Sequence, residues 1–155
     1  MSQSTGGASA LNEEAFRNGV MPRAQLSLLA SELAVAKATQ KNAKEFAGFE
    51  LEEATAVVKV LKNAGTPAPA LNDDSNAFIE KLKAASGNEF DKLYMHAELT
   101  NHEFLRDLAK SYLSNAAGKT SPAEKEVQNI ATIALFAFNE HVALSKRIYG
   151  EVRGA

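Results

Sequence analysis

The chain has 155 residues, a net charge of -2, and is 45% hydrophobic and 23% charged, totals that suit one globular domain able to bury roughly 70% of its unfolded surface. It has no cysteine, which excludes disulfides, thiol chemistry and Cys-ligated metal sites. No Lys/Arg run is long enough to track a phosphate backbone, which argues against a nucleic-acid partner, and the longest apolar stretch, Ile130 to Phe138, falls far short of the ~20 residues of a membrane span, so no transmembrane segment is expected.

Residues 1–10 are a polar tract with neither a charged start nor an apolar middle, so the given chain shows no signal peptide. We expect a flexible tail, or a mature start whose leader was replaced by Met1, ahead of a single domain over 11–155. Leu11 to Asn18 predicts a helical turn or two, and Gly19 with Met21-Pro22 predicts a break or kink. The first long helix then runs from about Pro22 to Ala38 on an apolar face of Leu26, Leu29, Leu33 and Ala36. A turn at Thr39 to Lys41 and the capping signature Asn42-x-x-Glu45 start a second helix at Ala43, which Gly65 and Thr66-Pro67 close after Asn63. Its stripe is Ala43, Phe46, Ala47, Ala54, Val57, Val58 and Leu61; Glu50 fills the slot between Ala47 and Ala54, with Glu53 beside it.

Ala64 to Ala77 reads as a crossover, followed by a short amphipathic helix from Phe78 to Ala85. A third long helix, about Asn88 to Asn115, carries Phe90, Tyr94, Ala97, Asn101, Leu105, Leu108 and Tyr112 on one face. Glu98 falls about 40° from Tyr94, inward, and His102 about 80°, at the seam. Ser121-Pro122-Ala123-Glu124 gives an N-cap, a proline at the first helical position and a Glu placed to reach back to the cap amide. In the helix that follows, Val127, Ile130, Ala131, Ala134, Ala137, Phe138, Val142, Ser145, Ile148 and Tyr149 share a face with His141 in its middle. No segment alternates with period two. The pattern predicts an all-α antiparallel four-helix bundle, with a longer crossover and a short extra helix between helices two and three.

Phe90-Asp91-Lys92-Leu93-Tyr94 followed by His102, Glu140-His141-Val142-Ala143 on the last helix and Lys44-Glu45-Phe46-Ala47 entering the second resemble an uncharacterised exported bacterial ferritin-like family, domain of unknown function 4142. The resemblance spans about Phe16 to Tyr149. It implies a ferritin-like bundle resident in the periplasm or secreted, and no established activity. Members of that family usually carry an Asp-His pair in the second helix where this chain reads Glu53-Ala54, so a third histidine is missing unless Glu50 or Glu53 substitutes.

Two readings of the polar residues stay open. A di-iron carboxylate bundle uses Glu-x-x-His pairs on two helices, and this chain has none; it offers Glu98-x-x-x-His102, and an adjacent Glu140-His141 whose side chains diverge by about 100°. In the first reading His141 is a buried imidazole bonded to Glu98, Asn101 or Tyr94. A structural polar core of Tyr94, Asn101 and His141 then fixes register in a non-enzymatic bundle with a structural, interaction or stress-related role and no required cofactor. In the second, Glu50, Glu98, His102 and His141 hold an iron, manganese or zinc ion, as a metal-binding bundle or a metal-dependent oxidase. Glu50, lying between alanines, needs a Lys or His partner or a place near a bundle end. His96 should be solvated, and Phe136, about 160° from the centre of its helix's stripe, marks a surface for a protein partner or self-association. No nucleophile elbow, phosphate loop or dinucleotide fingerprint occurs.

Overall fold

The computed structural model describes residues 8–155, and the first seven residues of the expected tail lie outside the described residues. Helix α1, Glu13–Lys37, does not break where its sequence suggested. Asn12 Oδ1 caps it by accepting from Ala15 N at 2.8 Å, and Glu13 and Glu14 complement the positive end of the helix dipole. Pro22 lies inside the helix, where it removes one backbone donor without ending the helix. A Cβ at Gly19 would stand 2.8 Å from Leu108 Cδ2, so this glycine permits close helix contact instead of ending the helix. The buried face also differs from the leucine edge: Ala24, Ser27, Ala30, Ser31 and Ala34 face inward, while Leu26, Leu29 and Leu33 are partly buried on the flank.

Helix α2, Lys41–Asn63, begins two residues early because Gln40 Oε1, not Asn42, accepts from Ala43 N at 2.7 Å. The turn before it is fixed by buried Asp91, whose carboxylate accepts from Thr39 N at 3.0 Å, Thr39 Oγ1 at 2.7 Å and Gln40 N at 2.9 Å. Helix α3, Asp73–Ala84, is longer than expected, since Asn72 caps Ser75 N at 2.8 Å and Asp73 and Asp74 form its first turn, not a loop. Helices α4, Gly87–Ala116, and α5, Pro122–Arg153, fall close to their predicted bounds. Ser121 caps α5 through Glu124 N at 3.2 Å. The Glu124 carboxylate does not return to the cap: it accepts from Tyr112 Oη at 2.7 Å and Glu13 N at 3.2 Å, tying α1, α4 and α5 together.

Contacts between helix ends give the topology. Asn115 donates to Ala10 O at 2.9 Å, placing the start of α1 beside the end of α4, and Asn42 donates to Glu151 Oε2 at 2.9 Å, placing the start of α2 beside the end of α5. Short turns join α1 to α2 and α4 to α5, so the four long helices run up, down, down, up, with α3 in the crossover. Two apolar cores result. One gathers Phe16, Val20, Met21, Leu105, Leu108, Tyr112 and Phe138, and the other gathers Phe46, Leu82, Phe90, Tyr94, Met95 and Ile148. Between them, Ser27, Glu50, Glu98, His102 and His141 are all buried. Among the described residues there is no strand, and no helix is long and apolar enough to cross a membrane.

Candidate metal centre

Each of the four long helices contributes to the polar layer. Glu50 and Glu53 stand three residues apart on α2, so both carboxylates leave the same side of that helix. Glu98 and His102 stand four apart on α4, His141 projects from the middle of α5, and Ser27 faces them from the small-residue side of α1. Phe46 and Phe138 wall the layer, with ring centroids 5.1 Å from His141 and 6.0 Å from His102 respectively.

His141 Nδ1 lies 2.6 Å from Glu50 Oε2 and 2.6 Å from Glu53 Oε2. One ring nitrogen can align a single proton with only one of them; the hydrogen bond goes to Glu50, and Glu53 Oε2 is left without a partner. His102 Nδ1 sits 2.9 Å from the Glu98 carbonyl oxygen, which can only accept, so Nδ1 carries a proton and the ring presents an Nε2 lone pair once Nε2 gives up its own. That Nε2 is 3.1 Å from Glu50 Oε2 and 3.4 Å from Glu53 Oε1, without a hydrogen bond to either. One donor atom from each of Glu50, Glu53, His102 and His141 falls within a group spanning no more than 4.8 Å.

The electrostatics follow from the burial of opposed charges. Burial raises the Glu50 carboxyl, but the His102 and His141 rings outweigh it and hold the acid down at about 2. Burial lowers His141, and the hydrogen bond to Glu50 together with the nearby Glu50 and Glu53 carboxylates outweighs that and raises it to about 9. His102 is likewise raised well above its ordinary value, against burial, chiefly by Glu50. Glu98 has the opposite fate: burial, reinforced by the Glu50 charge, pushes it up to about 8. Ser27 Oγ lies 2.6 Å from Glu50 Oε1 and 2.8 Å from Glu98 Oε2. Its one proton cannot serve both acids, so a protonated Glu98 donates to Ser27 and Ser27 donates to Glu50.

Of the four residues named from sequence, Glu50, His102 and His141 come together. Glu98 lies behind His102, 3.5 Å from its Nδ1, on the side away from the free Nε2. Its place among the converging donors is taken by Glu53. His102 is fully buried, not a seam residue. The expected polar core separates into three pairs: Tyr94 Oη with Ser31 Oγ at 2.7 Å, Asn101 Oδ1 accepting from Arg23 at 3.3 Å, and His141 with Glu50. His96 is exposed, as the helical wheel required.

Tetrahedral ligands about 2.1 Å from an ion stand about 3.4 Å apart, so the His102 to carboxylate spacings already suit one, while the two 2.6 Å spacings at His141 would have to widen by about 0.8 Å. Two carboxylates neutralise a divalent ion, and mixed imidazole and carboxylate donors suit iron, manganese or zinc. Glu53 also lines a groove of about 430 Å³ between α2 and α5, otherwise walled largely by Ala56, Val57, Val60, Ile130 and Ile133, which brings the donor group to solvent.

Fold and site together define an all-α bundle with a buried His/Glu donor group between two apolar cores. The chain belongs to the family described as Domain of unknown function (DUF4142), whose profile matches residues 1–148. No curated protein and no solved structure matches it.

Proposed function

We propose that the protein is a ferritin-like metal-binding bundle holding one divalent ion through Glu50, Glu53, His102 and His141. The observation that carries the reading is the pair of buried atoms without partners, Glu53 Oε2 and His102 Nε2, in a group whose donor atoms lie within 4.8 Å of one another. Buried polar atoms are nearly always satisfied, and an ion at the focus of the four groups would satisfy both. The up, down, down, up order with one long crossover supports the ferritin-like assignment, and residence in the periplasm or outside the cell belongs to the same reading. His102 is oriented for this role by the Glu98 carbonyl, as an outer partner commonly orients a ligating histidine.

Chelator-treated protein loaded separately with Mn²⁺, Zn²⁺ and anaerobic Fe²⁺ should retain one ion per chain of at least one of them. At a free ion concentration of 100 Kd the folded state gains about 2.7 kcal/mol, a rise in Tm of roughly 5–11 °C for a domain of this size. Retention well below one ion per chain, with an unchanged Tm, defeats the reading. A second reading, a structural or interaction role for the bundle, is favoured by Phe136 and Ile133, 71% and 72% exposed and three residues apart on α5. It expects sedimentation to become concentration-dependent and Phe136→Ser to abolish that dependence; a monomer at every concentration counts against it.

A further inference from the structure

A second cavity, of about 390 Å³, opens between α1, α3 and α4. Its charge is one-sided. Arg23, Lys81 and His96 line it together with Leu26, Phe78 and Leu93, and no carboxylate does. Arg23 is half-buried, with its guanidinium carbon 3.6 Å above the Phe104 ring and Nη1 donating to Asn101 Oδ1 at 3.3 Å. Asn101 in turn donates to the Arg23 carbonyl at 3.3 Å, so the guanidinium is clamped in place by a neutral partner. Among the described residues it has no ion pair, and residues 1–7 contain no acid. A guanidinium has five N–H donors, and one is committed to a side chain here.

Burying a charge without a counter-charge is costly, and buried charges are ordinarily paired. Burial, with no acidic neighbour opposing it, lowers the Arg23 pKa. Lys81 is exposed at the rim and makes no ion pair among the described residues, so it adds positive potential at the mouth without filling it. The cavity falls in the ~300–1,000 Å³ range of small-molecule sites, which are mostly apolar with a few fixed polar groups. We propose that this cavity binds a small amphipathic carboxylate, its head on the free edge of Arg23 and its apolar body against Leu26, Phe78 and Leu93. A carboxylate supplies the single negative charge that one clamped guanidinium lacks and matches its fork in a bidentate pair. The site is independent of the His/Glu group, which faces the bundle interior from other residues.

Titration calorimetry of the full chain with sodium decanoate below its micellar range, in buffer containing chelator so that no ion mediates binding, tests this. Decanoate should bind saturably at one per chain; decanol and inorganic phosphate should each bind at least tenfold more weakly, because one lacks the head and the other the tail. Arg23→Gln should weaken decanoate at least tenfold, with Arg23→Lys intermediate. Lys81→Glu, at an exposed rim position, tests the potential without touching the interior and should weaken decanoate several-fold at low salt. Absence of decanoate binding, equal binding of decanol, equal binding of phosphate, or an affinity unchanged in a folded Arg23→Gln or Lys81→Glu protein would each overturn the proposal.

Discussion

Glu50→Ala is expected to destabilise the metal-free chain by about 3–5 kcal/mol, the range for removing one partner from a buried charge pair, and to lower Tm by roughly 6–20 °C. Glu50 is 2% exposed and is the common neighbour of Ser27, His102 and His141. Without it, the His102 and His141 rings face one another across centroids 5.1 Å apart, with Glu53 as the only remaining carboxylate among the four donors. Glu98 is a poor replacement, because its burial, the largest cause of its raised pKa, persists in the variant. The loss should be larger at pH 5, where both rings are held charged, than at pH 8.5, where a ring freed of Glu50 can give up its proton. Glu50→Gln keeps the volume and one acceptor, so it should fall between alanine and wild type in stability while still removing a metal ligand. Urea unfolding at both pH values measures this. An alanine variant within 1 kcal/mol of wild type at pH 5 would mean that the His/Glu layer carries no net pairing energy.

How much of this layer could be read from sequence depends on which helix is considered. On α5 a complete cap and a wide apolar stripe placed His141 inward, and it is buried. The Phe90-Asp91-x-x-Tyr94 run that carried the resemblance proves to be three anchors: a core ring, the acceptor that fixes the α1 to α2 turn, and a hydroxyl on Ser31. Helix α1 was misread because its buried face is alanine and serine, which contrast weakly with solvent-facing residues, while its leucines sit on the flank. His102 was placed at the seam because the wheel assumes a narrow stripe, whereas α4 buries Asp91, Met95, Glu98 and His102 as a second line beside Phe90, Tyr94, Asn101 and Leu105. Glu53 lies about 60° from Glu50 around α2, and only their i, i+3 spacing marked them as a pair. The partner of His141 was sought on α4 and found on α2. Which helices face each other across a bundle is set by topology, and periodicity within one helix carries no information about it.

The metal-free protein should lose stability steadily as pH rises from about 5 to 9. His141 is raised to about 9 from an ordinary 6.5 and His102 moves in the same direction, so between those values the folded chain holds protons that the unfolded chain has released. The His141 contribution is complete below pH 6.5 and disappears as pH climbs through 9, and the His102 contribution is lost in the same direction. Glu98 acts with the same sign over a lower window: folded, it stays protonated up to about 8, whereas unfolded it ionises near 4.5, so alkali favours unfolding across that interval. Glu50, held at about 2, contributes above 4.5 and fails only as pH falls through 2. The sum places maximum stability near pH 5. Each proton held only by the folded state changes stability by about 1.4 kcal/mol per pH unit, so even one net proton moves Tm by roughly 3–6 °C per unit. Glu98→Gln should flatten the slope between pH 5 and 6.5 and leave the histidine-dependent fall above it, which separates the two contributions. A saturating ion should invert the trend, because it displaces imidazolium protons and therefore binds more tightly as pH rises. Melting curves in chelator from pH 5 to 9 decide the matter: a level or rising Tm would show that neither ring is charged in the folded chain.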